Sequence, residues 1–409
     1  MNIIFVTLGD LLDLGENSMY PDLLRCFRDH GHNVHVICPR ERRYKLQTQK
    51  TKEHGIEVLR VKTGNITKTN IIEKGITTLL IGRQYKAAIN KFFKRIKFDL
   101  LLYSTPPITI ANTIRYLKTR DNAFSYLMLK DIFPQNALDI GILKKSGWKG
   151  ILAQYFLHKE KQLYLISDYV GCMSQANVVY LHQNHSYLES KRIEVCPNTI
   201  TPSNISGIDK ILLREKFKLP QNKIIFICSG NFGKPQDVDF IITILNNNKA
   251  KSDRHFVICG SGTDFYKIRA YLSNSVNLTV MNSVKKEELN ALLDSCDIGL
   301  LFLDHRFTIP NFPSRILDYM NHNMPILAAT DQNTDIGATL IGGGFGWWCE
   351  SRDVNEYQRI LDAICSNPLE IEEKKMNSKI YLMNHYDTRV AFERIINAYS
   401  VGKNSHYNR

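Results

Sequence analysis

The sequence has no uninterrupted apolar stretch of about 18 residues, the length that a membrane-spanning helix needs, so we expect no such helix. Its first 15 residues lack a basic start and a small-residue cleavage site, and we expect them to form a strand and a loop instead of a signal peptide. Low-complexity tracts are also missing. With 44% hydrophobic and 23% charged residues among 409, the composition is that of a soluble globular protein, which excludes collagen, coiled coils and disordered chains.

Metal-ligand patterns are missing as well. The nine cysteines are scattered without the spacing of a zinc or redox motif, so we expect buried free thiols in a reducing cytoplasm. His182 and His185 lie three residues apart with no third ligand beside them. Asp237 and Asp239 match an Asp-x-Asp pattern, but they begin a helical segment, where successive side chains diverge by about 100°. The sequence therefore predicts no metal site and no cofactor.

Acidic residues are scarce in the first half of the chain relative to basic ones. Residues 1–200 hold 29 Lys and Arg against 17 Asp and Glu, whereas residues 201–409 hold 24 against 23. Nearly all of the net charge of +13 therefore belongs to the first half. A basic half indicates a polyanionic partner, which could be nucleic acid, an anionic membrane surface or a phosphorylated substrate.

Short apolar runs alternate with helical patterns along the whole chain, as in parallel sheets that are covered by helices on both faces. Turn-forming residues at Pro197–Gly207 separate two such series. We therefore predict an α/β protein with domains at residues 1–200 and 201–384, and a C-terminal segment at about 385–409 that packs back on the first domain. The predicted strands are Asn2–Thr7, Val34–Cys38, Glu57–Val61, Asp99–Tyr103, Phe124–Leu129, Tyr169–Met173, Arg192–Val195, Ile224–Ser229, His255–Cys259, Asn277–Met281, Ile298–Leu303, Pro325–Ala329 and Phe345–Cys349.

The first motif is SGNFGKPQD at residues 229–237, between an apolar run and a helical pattern. A strand, a glycine turn and a helix start expose backbone N–H groups and the positive end of a helix dipole, which together can bind an anion. Gly230 allows a phosphate to approach the backbone, and Lys234 adds a full positive charge. An ordinary strand-to-helix turn remains the alternative for this segment.

The second motif is NFPSRILDYM at residues 311–320. Pro313 and Ser314 are typical of a helix start, and the spacing places Ser314, Arg315 and Asp318 on one helical face. The simplest alternative is a surface ion pair between Arg315 and Asp318, worth a few tenths of a kcal/mol. That order of charges opposes the helix dipole, however, so an anion held at the helix start explains the pattern better.

Together these motifs resemble the retaining glycosyltransferases of family 4, which have the GT-B fold. The similar enzymes act in bacterial O-antigen and capsule synthesis and include the N-acetyl-fucosaminyl transferase type. The resemblance covers nearly the whole chain and extends to Gly31–Val34, Lys130–Pro134 and Cys259–Gly262. It implies two Rossmann-like domains whose parallel sheets face each other across a cleft.

In the second domain the resemblance implies a site for a nucleotide-sugar donor, which we expect to be UDP-linked. Asp318, seven residues before Pro325, stands where the family has a glutamate that holds the ribose hydroxyls, whereas the family's first glutamate would fall at Pro310 and is absent. Two positions that are cationic in the family are neutral here, so Lys234 and Arg315 are expected to neutralise the diphosphate. The implied donor-binding residues are Gly230, Asn231, Lys234, Gln236, Gly260, Ser314, Arg315 and Asp318.

In the first domain the resemblance implies an acceptor site. Lys130 stands in place of the family's histidine, next to Asp131, and we expect these two residues to be catalytic, with Asp131 in acceptor binding or proton transfer. Glu16 and Asn17 stand near the position of the family's glycine loop and are expected to bind the acceptor.

The segment Arg83–Lys97 combines an apolar stripe with six cations and no acid. Such a pattern is typical of a helix that lies on an anionic membrane, although a helix packed on its own domain with a solvated basic face fits equally well. The lipid-linked acceptor implied by the resemblance favours membrane contact.

The sequence and the resemblance together predict a glycosyltransferase that moves a sugar to a polyprenyl-diphosphate-linked glycan at the cytoplasmic face of a bacterial inner membrane. It would work without metal, since cations and backbone amides would stabilise the leaving diphosphate. A nucleotide-sugar epimerase of the same fold is the alternative enzyme. A nucleic-acid-binding protein is the alternative without catalysis, but no recognition motif supports it, and we expect no nucleic acid partner.

Overall fold

The computed structural model describes residues 1–9, 11, 13–66, 71–106, 108–188, 192–203, 207, 209–271 and 277–407. These residues form two compact units. Unit 1 comprises residues 1–201 and 387–409, and unit 2 comprises residues 202–386. Each unit is an α/β structure built on a largely parallel sheet, which confirms the predicted fold class.

Unit 1 contains, within the described residues, an eight-stranded sheet in the order β3-β4-β2-β1-β5-β6-β7-β8. All neighbouring strands run parallel except β3 and β4. The strands are β1 (Asn2–Val6), β2 (Asn33–Glu41), β3 (Gln49–Glu53), β4 (Ile56–Thr63), β5 (Leu100–Ser104), β6 (Phe124–Leu129), β7 (Tyr169–Cys172) and β8 (Arg192–Val195). The helices are α1 (Met19–Asp29), α2 (Ile71–Phe92), α3 (Ala111–Asp121), α4 (Gln135–Asp139), α5 (Gly147–Ile166), α6 (Gln175–Asn184) and, at the C-terminal end of the chain, α15 (Thr388–Tyr407).

Unit 2 contains a parallel six-stranded sheet, again counted over the described residues, in the order β11-β10-β9-β12-β13-β14. Its strands are β9 (Ile224–Asn231), β10 (Arg254–Ser261), β11 (Leu278–Asn282), β12 (Ile298–Phe302), β13 (Ile326–Thr330) and β14 (Gly346–Glu350). Its helices are α7 (Lys210–Lys216), α8 (Val238–Asn248), α9 (Phe265–Tyr271), α10 (Lys286–Asp294), α11 (Arg315–Asn321), α12 (Ile336–Gly342), α13 (Val354–Ser366) and α14 (Pro368–Tyr381).

Every predicted strand is present. The central strands are buried apolar runs that lie between two neighbouring strands, whereas β8, β11 and β14 lie at sheet edges and are only partly buried. The sequence prediction missed β3, whose residues QKTKE carry no apolar pattern. This strand lies at the edge of the sheet and pairs only with β4, so its side chains need not be apolar.

The final helix, α15, packs against α1 within unit 1. The ring centroid of Phe392 lies 5.0 Å from that of Phe27 and 4.2 Å from that of His30. Ala391, Ile395 and other apolar residues of α15 belong to the same buried cluster as β1 and β2.

Helix α2 corrects the prediction for the segment Arg83–Lys97. The helix ends at Phe92, and its apolar stripe is buried inside unit 1. Tyr85, Ile89 and Phe93 are fully buried, and the Tyr85 hydroxyl donates a hydrogen bond to the carbonyl oxygen of Thr7 at 2.7 Å. The stripe is therefore core and is not available for insertion into a membrane.

The nine cysteines are free thiols, as predicted, and seven of them are buried. Among the described helices, none combines the length and the hydropathy that crossing a bilayer requires.

Candidate active site

The sheet of unit 2 forks at the carboxyl end of β9. Strand β9 pairs with β10 along its whole length, but it pairs with β12 only at Phe226 and Ile227. Strand order also reverses here, because β10 and β11 lie on one side of β9 and β12 to β14 lie on the other. In open α/β sheets, ligands bind outside the carboxyl ends of the strands at such a reversal. The fork is therefore the expected position of a ligand site.

Tyr319 of α11 occupies the fork. Its hydroxyl lies 3.3 Å from the carbonyl oxygen of Ile227 and 3.1 Å from that of Leu300, and it accepts the N–H of Ser229 at 3.2 Å. These contacts replace the ladder hydrogen bonds that β9 and β12 lose where they separate. Burial raises the pKa of Tyr319, so the hydroxyl keeps its proton and can donate.

Gly299 makes room for the ring of Tyr319. A Cβ atom at Gly299 would lie 2.3 Å from Cδ2 of Tyr319, so any other residue would displace the ring. The sequence prediction missed both residues. The available signal was a glycine inside an apolar strand, which often marks a close approach of another group.

Two predicted glycines meet at the carboxyl edge of this sheet. Gly230 and Gly260 are paired across β9 and β10, and a Cβ atom at Gly260 would lie 1.9 Å from the carbonyl oxygen of Gly230. Gly230 has a φ of +110°, which other residues rarely adopt. The two loops also join through a 2.7 Å hydrogen bond from the Phe232 N–H to the Ser261 carbonyl oxygen. At this edge the backbone of Gly230 is therefore exposed, whereas Gly260 is buried against the Gly230 carbonyl group and the Phe232 ring.

Arg315, the first residue of α11, lies over this glycine edge. A Cβ atom at Gly230 would lie 2.6 Å from Nη2 of Arg315, and Nη1 lies 3.8 Å from Sγ of Cys228. Arg315 is partly buried, and it has no ion-pair partner among the described carboxylates. A partly buried cation without an acid partner is well suited to bind an anionic ligand.

Asp318 does not pair with Arg315. Its Oδ1 atom accepts a 2.6 Å hydrogen bond from Nζ of Lys286, at the start of α10. The alternative interpretation of this motif, a surface ion pair between Arg315 and Asp318, is therefore wrong. Both Asp318 and Lys286 remain partly accessible to solvent, so the pair orients the carboxylate without closing it off.

The loop after β9 is held by Gln236. Its Oε1 atom accepts the N–H of Gly233 at 3.1 Å, and its own N–H donates to the Gly233 carbonyl oxygen at 3.0 Å. Asn231 and Lys234 are exposed, and the ammonium group of Lys234 forms no ion pair with the carboxylates that the structure describes. In this arrangement Gln236 supports the loop, whereas Asn231 and Lys234 are available to a ligand. Ser314, at the start of α11, is exposed and does not cap that helix with its side chain.

A cluster of Asp237, Asp304 and His305 offers three potential metal ligands within 4.8 Å, and it is the one such group among the described residues. Each carboxylate already has a cationic partner. Nε of Arg352 donates to Asp237 at 2.7 Å, and Nη2 of Arg306 donates to Asp304 at 2.6 Å. The arrangement is that of an ion-pair network. Asp239, the other acid of the Asp-x-Asp pattern, pairs with Lys267 instead.

In unit 1, Lys130 and Asp131 follow β6 at the carboxyl edge of the sheet. Nζ of Lys130 donates to the carbonyl oxygens of Cys196 and Pro197, at 3.2 and 3.1 Å. Burial lowers the pKa of this ammonium group. Two of its three donors thus tie the end of β6 to the chain that follows β8.

Asp131 has the environment of a proton-transfer group. Burial raises the pKa of its carboxyl group to about 7, although a 2.6 Å hydrogen bond from Nδ2 of Asn136 opposes the rise. Glu160 of α5 is buried as well, and burial raises its pKa to about 8, with a further contribution from the charge of Asp131. The sequence prediction missed Glu160, because the run His158–Lys161 has the composition of an exposed helical face.

Glu16 and Asn17 lie in the exposed loop between β1 and α1. Arg25 organises this loop by donating to the carbonyl oxygen of Glu16 at 3.0 Å and to Oδ1 of Asn17 at 3.3 Å. Because β1 and β6 are parallel members of one sheet, this loop and Asp131 lie at the same edge of unit 1.

Comparison with known proteins agrees with this geometry. Residues 209–383 match the family described as "Glycosyl transferases group 1". The probable glycosyltransferase WbjE of Pseudomonas aeruginosa is 21% identical over 339 residues, which cover 80% of each chain. The chain is a glycosyltransferase. The residues that match this family model all lie within unit 2.

Solved structures share the fold of this glycosyltransferase over nearly its full length. Sucrose-phosphate synthase from Thermosynechococcus elongatus matches with a TM-score of 0.75 and 12% identity, over 98% of both chains. HepE from Anabaena, solved in complex with UDP, matches with a TM-score of 0.68 and 13% identity, over 98% of this chain and 100% of its own. The predicted GT-B fold and the predicted transferase class are both confirmed.

Tyr319→Phe should destabilise unit 2 of the glycosyltransferase. The ring stays, but the buried N–H of Ser229 and the carbonyl oxygens of the fork lose their partner, at a cost of about 1–3 kcal/mol in the free energy of unfolding. Urea unfolding measures this change. Tyr271→Phe is the matched control, because the Tyr271 hydroxyl bonds to Asn246 in an exposed setting. An equal effect of both substitutions would contradict the role of the Tyr319 hydroxyl.

Asp131→Asn should reduce the loss of stability with rising pH. The folded carboxyl group holds its proton up to about pH 7, whereas the unfolded group releases it near 3.8. The folded state therefore binds more protons in this window, and the free energy of unfolding of the parent falls as pH rises through it. Urea unfolding between about pH 5 and pH 8 should show a flatter profile for the variant. Parallel profiles for parent and variant would show that Asp131 ionises normally; Asp13→Asn, in an exposed loop, is the control.

Proposed function

We propose that this enzyme transfers a sugar from a UDP-linked donor to a polyprenyl-diphosphate-linked glycan, with retention of configuration, in bacterial surface polysaccharide synthesis. The observation that carries the proposal is Arg315 over the exposed backbone of Gly230, at the fork of β9 and β12, as a partly buried cation that pairs with no acid in the described part of the chain. The relative WbjE, described as a probable glycosyltransferase, and the HepE complexes with UDP and with UDP-glucose support it.

The donor diphosphate would lie against the glycine edge of unit 2. The exposed Gly230 allows its oxygens to approach the backbone, and Arg315 donates to them in a bidentate manner. Lys234, exposed on the neighbouring loop, adds a second positive charge. As the glycosidic bond breaks, negative charge grows on the leaving UDP, and these cations stabilise it most strongly at that stage.

The ribose would be held by Asp318. A carboxylate accepts hydrogen bonds from two vicinal hydroxyl groups, and the Lys286 ammonium group fixes the orientation of this one. The shorter side chain of aspartate, relative to the family's glutamate, brings the sugar closer to α11.

The acceptor would use the carboxyl edge of unit 1. Asp131, with a pKa of about 7, can exchange a proton with the acceptor hydroxyl near neutral pH. Lys130, Glu16 and Asn17 surround this edge as supporting or binding groups. The net positive charge of residues 1–200 attracts a diphosphate-linked acceptor and an anionic membrane, consistent with a peripheral position at the cytoplasmic face of the inner membrane.

A thermal-shift screen of nucleoside diphosphates and their sugars identifies the donor. The stabilising nucleotide sugar, in radiolabelled form, is then incubated with polyprenyl-diphosphate-linked glycans, and label should move into the lipid fraction. Conversion of the nucleotide sugar without any acceptor would instead indicate an epimerase and contradict the proposal.

Asp318→Ala should weaken UDP binding by about 1–3 kcal/mol, because charged hydrogen bonds to the ribose are lost. Isothermal titration calorimetry with UDP measures the change. Asp239→Ala, which breaks the exposed pair of Asp239 with Lys267 in the same unit, should leave UDP affinity unchanged. If a folded Asp318→Ala protein binds UDP as the parent does, Asp318 does not contact the ribose.

Transfer should proceed fully in EDTA, since cations of the chain supply the positive charge at the diphosphate. The measurement is the initial rate of label transfer before and after exhaustive chelation, with the metal-free protein checked by elemental analysis. A rate that collapses and returns only with Mg²⁺ or Mn²⁺ would contradict this mechanism and direct attention to the cluster of Asp237, Asp304 and His305.

A further inference from the structure

Residues 141–151, between α4 and the first turn of α5, form a tip of unit 1 with an unusual surface. Trp148 is 68% exposed, Ile151 is 76% exposed and Ile142 is 50% exposed. Large apolar side chains with such exposure cost free energy in water and, when grouped, mark a contact surface. We call residues 141–151 the α4–α5 tip.

The α4–α5 tip is anchored through other side chains. Leu143 is buried in a small cluster with Ala137 and Ala153, and its N–H donates to the Ala137 carbonyl oxygen at 2.9 Å. Gly150 lies so close to the preceding turn that a Cβ atom would be 2.8 Å from the carbonyl oxygen of Lys145. The backbone of the tip is thus well packed, and Trp148 and Ile151 are not needed to hold it.

Cations surround the exposed apolar side chains. Lys144 and Lys145 are exposed, and Nζ of Lys149 lies 5.8 Å from the ring centroid of Trp148. None of these three lysines forms an ion pair with a described carboxylate. The α4–α5 tip thus combines a tryptophan, aliphatic side chains and lysines that pair with no described carboxylate. This combination matches the chemistry of an anionic bilayer surface, with the ring at the headgroup level and the ammonium groups at the phosphates.

We propose that the α4–α5 tip is the surface through which this protein binds an anionic lipid bilayer. The exposed face of α2 is a weaker candidate. Its cations are accessible, but Tyr85 and Ile89 of its apolar stripe are buried in unit 1, and the apolar side chains that it does expose, Leu79 at 59% and Leu80 at 44%, are less exposed than Trp148 and Ile151. Helix α14 of unit 2 also exposes apolar side chains, Leu369 and Met376, but acids accompany its lysines, as in the pair of Lys375 with Glu372. That face lacks the charge complementarity that favours an anionic membrane.

The position of the tip also fits the proposed function, on which this step rests. Asp131 lies between β6 and α4, and both α4 and the start of α5 lie at the carboxyl edge of the unit 1 sheet. A bilayer at the tip would therefore present a lipid-linked diphosphate on the side of unit 1 that carries Asp131.

The test uses the full chain and vesicles of phosphatidylcholine alone or mixed with phosphatidylglycerol. The double variant Trp148→Ser with Ile151→Ser should lower the partition coefficient onto mixed vesicles by about tenfold or more, at both low and high salt, since it removes apolar burial. The matched control, Leu369→Ser with Met376→Ser, removes two equally exposed apolar side chains of unit 2 and should bind like the parent.

A second pair of variants separates the lysines of the tip from those of α2. Lys144→Gln with Lys145→Gln should weaken binding at low salt and have little effect at high salt, because screening already suppresses this attraction. Lys86→Gln with Lys91→Gln on α2 should have the smaller effect. Tip variants that sediment with mixed vesicles as the parent does would overturn the proposal, as would loss of binding only in the α2 variants.

Tryptophan fluorescence gives a second readout. Mixed vesicles should shift the emission of the parent to shorter wavelength, and Trp148→Phe should abolish the shift, because the other two tryptophans bond to Glu370 and Thr330 inside unit 2. If the parent protein instead self-associates through the tip in analytical ultracentrifugation and shows no such shift, the surface binds a second copy and the proposal is overturned.

UDP titration is the independent control. Intact vesicle binding without UDP binding would contradict the proposed function but would still support the α4–α5 tip as the membrane surface.

Discussion

The candidate donor site depends on the separation of β9 from β12 in unit 2. A parallel sheet is held together by its ladder hydrogen bonds, and the two strands give these up after two residue pairs. The Tyr319 hydroxyl satisfies the freed backbone groups, and Gly299 leaves space for the ring. The same residue therefore bonds to the backbone groups at the opening and fixes α11 against the sheet.

The position of Arg315 follows from that of Tyr319. Tyr319 is one helical turn after Arg315, so fixing the tyrosine in the fork also fixes the start of α11 beside Gly230. The guanidinium group then lies over exposed backbone, away from Asp318, which Lys286 holds. The site thus presents positive charges in front of exposed backbone. Such an arrangement suits a leaving group that gains negative charge.

Unit 1 supplies the opposite kind of chemistry. Burial raises the pKa of its two acids, Asp131 and Glu160, to about 7 and about 8, and the charge of Asp131 contributes to the rise at Glu160. Lys130 does not neutralise them by an ion pair, because backbone carbonyls already bind its ammonium group. The groups to which the proposed function gives charge stabilisation and proton transfer therefore belong to separate units of the chain.

The sequence by itself determined the positions of the strands along the chain, the two α/β units and the glycines at the carboxyl ends of β9 and β10. Continuous apolar runs and glycines are local properties of the chain. The sequence did not reveal the polar edge strand β3, the use of Tyr319 in the fork or the burial of Glu160. The sequence also allowed two interpretations of the apolar stripe at residues 83–97, because a helix packed in a core and a helix that lies on a membrane have the same periodicity. Only the tertiary structure decided these points. The partner of a side chain can come from a segment distant in sequence, as Lys286 does for Asp318. The burial of a helix face depends on which other elements pack against it.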